Sequence, residues 1–196
     1  MASERLEATV RIYEPILPVD RGERYLGPLG ELLEATGLGA IAGAGTQLTA
    51  TREIEYVEIE LTLEDDDAAI DGVLRLLSGR GAPRYSRLYL RHGELDEEIT
   101  FGIAEGVAVT LRGVPPEAEV GALLDASMAA LVGEAEYRGA HVFAGNLALY
   151  FYGLDAELIW ERLRPVLVAH ALGRGARAQI RCGHPDGQPH EVILPG

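Results

Sequence analysis

The chain has 196 residues, 47% of them hydrophobic, and a formal net charge of −14. Its 17 basic residues are all arginine, which excludes Schiff-base chemistry, a P-loop lysine and a lysine general base. No run of about 18 apolar residues could cross a membrane, and the N-terminus lacks the charged-then-apolar pattern of a secretory signal. A single cysteine, Cys182, excludes an internal disulfide framework. A cytoplasmic protein is expected, and its negative field disfavours nucleic acid and anionic lipid.

In chain order, the first half predicts a strand over residues 9–13, a long connection over 14–28, and a helix over about 28–36. Strands follow over about 44–49 and 54–63. The second of these is clearest: Val57, Ile59, Leu61 and Leu63 alternate with polar neighbours, the period of a half-buried strand. Asp67 then reads as the cap of a helix over 67–78, with Ile70, Val73, Leu74 and Leu77 on one face. A strand over 86–91 completes the half. The segment 93–104 reads as a linker entered through a turn at His92 and Gly93, with an additional strand over 99–101.

The second half repeats the order. A strand over 107–112 leads through Pro115 and Pro116 into a helix reaching Val132. "YRGAHVFAG" and "LALYFYG" read as two strands joined at Gly145 and Asn146. Asp155 caps a helix to about residue 172, which Pro165 is expected to kink or restart. "ARAQIRC" is the last strand. "DAAI" at Asp67 and "DAEL" at Asp155 occupy matching junctions, as do the two copies of "GRGA" at Gly79 and Gly173, so an internal duplication is expected.

The order βαββαβ, twice, is the ferredoxin-like split βαβ motif. The expected fold is α+β: two tandem ferredoxin-like units over residues 1–92 and 105–196, each an antiparallel sheet with helices on one face. The other face is left open, and function is expected there or on the long connection.

The glycine stretch "GLGAIAGAG" has the look of a phosphate cradle. A dinucleotide loop, however, runs from strand to helix so that the helix N-terminus meets the pyrophosphate. Here the order is reversed, so Gly37 reads as a helix terminator and Gly43 and Gly45 as a strand entrance or bulge. No cofactor is predicted.

Two places are predicted to touch a partner. The long connection carries Asp20, Arg21, Glu23, Arg24 and Tyr25, both charges beside an aromatic ring. The open sheet faces carry Tyr56, Glu58 and Glu60 in the first unit and Tyr150 and Tyr152 in the second, with arginines at Arg11, Arg87, Arg112, Arg177 and Arg181. Arginine beside tyrosine on such a sheet resembles RNA-recognition motifs, but the carboxylates and the missing RNP pattern oppose RNA. The acidic run 64–68 reads as helix capping. Cys182, His184, His190 and Glu191 lack standard zinc spacings on a tail expected to be loose, and Cys182 reads as a small core residue facing inward with Ile180. No metal site and no nucleophile–base set is predicted.

Three functional readings follow. The first is a non-catalytic interaction module that docks onto a basic protein; in charge and lack of chemistry it resembles the acidic immunity-type inhibitors. The second is a small-molecule-binding regulator, since tandem ferredoxin-like units resemble ACT-type regulatory domains. The third is an enzyme working through carboxylates on an open sheet face. An exposed aromatic face also predicts a homodimer.

Overall fold

A computed structural model describes residues 5–64, 66–92, 95–183 and 190–196. The chain divides into two compact units, one formed by Met1–Leu48 with Ile54–Ile103 and the other by Thr49–Glu53 with Ala104–Gly196.

In the first unit, β1 (Arg5–Ile12), β2 (Gly39–Leu48), β3 (Ile54–Glu64), β4 (Ser86–His92) and β5 (Leu95–Phe101) form a sheet in the order β2-β3-β1-β4-β5. In the second, β6 (Glu105–Leu111), β7 (Ala135–Phe143), β8 (Asn146–Gly153), β9 (Arg177–Cys182) and β10 (His190–Ile193) take the order β10-β9-β6-β8-β7. Every pairing is antiparallel. Each sheet is thus the ferredoxin-like order with one further strand at its edge. The segment read as a linker supplies β5, and the tail expected to be loose supplies β10, which pairs His190 through Ile193 with β9 and seats Leu194 in the core.

Alternation decides the buried face in both sheets. Val10, Ile59 and Leu88 lie in register in the first, all fully buried; Val109, Leu149 and Ala178 do the same in the second. Helices α3 (Asp67–Gly79) and α5 (Ala156–Ala169) close these cores with Val73 and Leu77, and with Ile159, Leu163 and Leu167. Each such side chain stabilises by about 1.5–3 kcal/mol relative to exposure. A β-bulge recurs at the same place in both units. It falls between Ile41 and Gly43, opposite Leu61 and Glu60, and between Tyr137 and Gly139, opposite Phe151 and Tyr150. Leu61 faces Ala8 and Phe151 faces Val107, so the bulges are equivalent and Glu60 corresponds to Tyr150.

Only residues 14–17 of the expected connection over 14–28 are irregular. From Pro18 the chain is helical: α1 (Pro18–Arg21), a π-helical turn (Gly22–Leu26) and α2 (Gly27–Thr36) follow without a break. Arg21, Tyr25, Leu29 and Leu33 recur every four residues and are all buried, a spacing the wider π turn keeps on one side. Three glycines, a proline and four charges from Arg21 to Leu33 concealed that stripe in the sequence. Gly37 takes a left-handed φ of 68° and ends α2, and the glycine stretch then runs as strand β2 through its bulge.

Four smaller expectations change. Asp66, not Asp67, caps α3, accepting from Ala68 N at 2.7 Å; Asp155 caps α5 as expected, accepting from Glu157 N and Leu158 N. The β7–β8 turn is Ala144–Gly145, both with positive φ, and Asn146 opens β8. Helix α5 runs on through Pro165 as one element, because that residue lies on the exposed side where water can take the carbonyl that the proline leaves unpaired. Helix α4 (Glu117–Ala130) ends two residues short of Val132.

Candidate functional site

The predicted contact residues on the helical stretch are divided by its periodicity. Asp20 and Glu23 are exposed, and Arg24 is half-buried with a hydrogen bond to Arg80 O at 3.3 Å. Tyr25 is fully buried and donates to Glu14 Oε2, itself 1% exposed, so this ring anchors the helix instead of meeting a partner. Arg21 is buried as well, donating to Gly45 O and to Thr46 Oγ1 on β2; burial holds its guanidinium below its usual range.

The first unit's helix-free sheet face is polar and internally paired. Arg11 and Glu58 are opposite in register, and Arg11 donates to Glu58 Oε1 from Nε at 3.1 Å and from Nη2 at 2.7 Å. The same guanidinium lies 4.3 Å from the Tyr56 ring centre and 5.2 Å from that of Tyr89. Tyr56 meets Tyr13 edge-on at 5.8 Å. Burial alone would lower the Arg11 pKa, but its bonds to Glu58 and Tyr13 prevail and raise it; burial raises Tyr13. Arg87 pairs with Glu98 at 3.4 Å, and Glu60 is exposed beside Gly43.

The second unit's corresponding face is not open. Ala104, Ala108, Phe143, Ala148, Tyr150, Tyr152 and Cys182 form a buried cluster of their own there. Tyr150 and Tyr152 are 2% and 1% exposed, which corrects their placement on a free aromatic face. Cys182 joins them because a bulge opposite Gly106 and Val107, with Arg181 at φ 61°, breaks the alternation; it faces away from Ile180, and its Sγ–H donates to the Tyr152 hydroxyl at 3.7 Å. Gly106 is required here, since a Cβ would lie 2.6 Å from the Tyr152 ring. The Arg138 guanidinium stacks 4.6 Å over that ring, aimed there by the β7 bulge.

At the margin of this cluster lies a cleft of about 380 Å³. Leu111, Phe143 and Ala144 supply apolar walls, and Thr51, Glu53, Thr110, Arg112, Asn146 and Arg177 supply polar groups. Arg112 Nε donates to Gly175 O at 3.0 Å, which orients the guanidinium, and Arg177 lies 3.7 Å from Glu191. Glu53 reaches the cleft from the turn between β2 and β3, where His141 Nε2 donates to Arg52 O at 3.0 Å. Burial raises the Glu53 carboxyl, with Arg177 and His141 pulling the other way. The Tyr150 hydroxyl is buried without a hydrogen-bond partner, and burial followed by the Glu53 charge pushes it far up. A concave, partly apolar site with converging charges and shifted acids is the usual form of a small-molecule site.

Sequence reasoning placed Arg112 and Arg177 on the open sheet face predicted to touch a partner, without a cleft, and missed Glu53. Their outward positions were legible from alternation. Glu53 carries no local signal, because it meets Arg177 across more than a hundred residues of chain. Among the described residues no cluster of three metal-ligating side chains exists, and His184 and Asp65 lie outside them. Among the described residues no helix is long and apolar enough to cross a membrane.

No family model and no curated protein sequence matches the chain. Among solved structures it is similar to an unknown protein from Galdieria sulphuraria (10% identity, 97% of this chain and 99% of that one, TM-score 0.30). It is also similar to the regulatory subunit of aspartate kinase from Thermus thermophilus (15%, 83% and 90%, 0.27). A third likeness is to the first two RRM domains of yeast poly(U) binding protein (10%, 89% and 98%, 0.26). At these scores the likenesses carry no argument about function.

Proposed function

We propose that the chain is a non-catalytic, small-molecule-binding protein of regulatory type whose ligand seats in the second unit's cleft. The observation that carries this reading is the convergence of Glu53, Arg112 and Arg177 on one cleft of about 380 Å³, at the margin of the buried cluster that contains the unpartnered Tyr150 hydroxyl. That volume lies within the range of roughly 300–1,000 Å³ usual for such sites. The test is a thermal-shift screen of the intact chain against small polar metabolites. A ligand at a hundred times its Kd stabilises by about 2.7 kcal/mol, so the melting temperature should rise. The rise should vanish in an Arg112→Ala, Arg177→Ala double variant; an undiminished rise there would place the site elsewhere.

A second reading, docking onto a basic protein in the manner of an immunity-type inhibitor, is favoured by the net charge of −14 and by the exposed Asp20 and Glu23. It expects a basic partner in pull-downs from the source cells, released as salt shortens the Debye length from about 10 Å at 0.1 M to about 3 Å at 1 M. Capture that ignores salt would count against it.

A further inference from the structure

The charges around the cleft narrow its occupant, on the reading just given that it is a ligand site. Arg112 and Arg177 bring two positive charges, and Glu53 and the Arg177-paired Glu191 bring two negative ones. The lining itself holds two arginines and one carboxylate, with Glu191 outside it and paired to Arg177, so the two signs are sharply divided. A ligand complementary to them is divided in the same way.

A simple anion would satisfy the arginines and leave Glu53 facing a like charge. A phosphate monoester, at about −1.5 to −2 near neutral pH, would make that conflict worse. No helix contributes to the lining, so the dipole that usually assists phosphate is missing from the lining as well. A planar guanidinium, by contrast, matches a carboxylate in shape and charge. An ammonium group matches Glu53, whose carboxylate is half-buried and gains from a cation that replaces lost water. Leu111 and Phe143 leave an apolar wall for the carbon skeleton between the two ends.

We propose that the cleft takes a small zwitterion, its carboxylate held by Arg112 and Arg177 and its ammonium by Glu53.

Calorimetric titration of the intact chain tests this with a panel of free amino acids of α, β and γ type. Each is paired with its carboxamide and its deaminated analogue, and neutral sugars and nucleosides complete the panel. Binding is expected for zwitterions, with a loss of about ten-fold or more on either change, as for a removed charge-assisted hydrogen bond. Arg177→Gln should flatten the preference for carboxylate over carboxamide, and Glu53→Gln the preference for amine over its deaminated analogue. The analogue comparison uses the unaltered protein, so a poorly folding variant leaves it intact. A sugar or nucleoside that binds while zwitterions do not, and is weakened by Arg177→Gln, overturns the ligand class and leaves the cleft as a site. No binding by any panel member overturns both.

Discussion

The two units share topology, register and even the position of a bulge, yet their helix-free sheet faces have opposite characters. Where the first carries Glu7, Glu58 and Glu60, the second carries Gly106, Ala148 and Tyr150 at the equivalent register positions. The first face neutralises itself through Arg11, Glu58 and a tyrosine cage. The second buries its tyrosines, stacks Arg138 over one of them, and gathers Glu53, Arg112 and Arg177 at the cleft. The lesson is that backbone pairing and inward-facing residues specify the fold, while the outward-facing half of each strand is free to become solvated decoration or a site. A duplicated fold can therefore hold one structural face and one functional face without any change of topology.

The sharpest way to break this comparison is to truncate both members of the equivalent pair. Tyr150→Ala should cost about 3–5 kcal/mol, as for other large buried aromatic truncations, whereas Glu60→Ala should stay within about 0.5 kcal/mol. Urea denaturation of both variants measures the difference. Equal small effects would mean that the second face is open after all. Tyr150→Phe sharpens the result: removing an unpartnered buried hydroxyl should raise stability by about 1 kcal/mol, and a loss instead would show that the hydroxyl is satisfied.

A second pair adds volume instead of removing it. Gly106→Ala places a methyl 2.6 Å from the Tyr152 ring and 2.7 Å from Cys182 Sγ, so overpacking should cost about 1–3 kcal/mol. Glu7→Ala, at the equivalent position, should be near neutral.

These pairs also show what was legible in advance. The core faces, the βαββαβ order and the Asp155 cap followed from alternation, helical spacing and capping chemistry, all local signals. The buried stripe from Arg21 to Leu33 was hidden because a π turn shifts the helical period and charged residues interrupt it. The face to which Cys182 belongs was hidden because one residue of bulge reverses alternation, and bulges leave little mark in composition. Tyr150 and Tyr152 were placed on the correct side of their strand. That this side is buried depends on contacts between residues far apart in sequence, which no window reveals. The same holds for Glu53 and the cleft.

On the first unit's face, the comparison rests on Arg11 being tied to Glu58. A double-mutant cycle with Arg11→Ala and Glu58→Ala should give a coupling of about 0.2–1 kcal/mol, typical of a pair that water still reaches. Added salt should reduce it, because both side chains remain about one-third exposed, at 29% and 33%. A coupling of zero would return Arg11 to the solvent and make this face available to a partner.

The smallest effect concerns Glu53. Its carboxyl is raised by burial, against the pull of Arg177 and His141, so the folded chain holds that proton more tightly than the unfolded chain. Between the ordinary glutamate range near 4.5 and the raised folded value, the contribution of Glu53 to stability therefore falls as pH rises, and above that window its full cost persists. Glu53→Gln cannot titrate and lacks this slope. The melting temperature of the variant should thus gain on that of the parent as pH goes from about 4 to about 8, because the rest of the chain is the same in both proteins and Glu53 alone differs. A constant difference across that range would mean that Glu53 is solvated, and the cleft would then lose the buried acid that sets it apart from the paired carboxylates of the first unit.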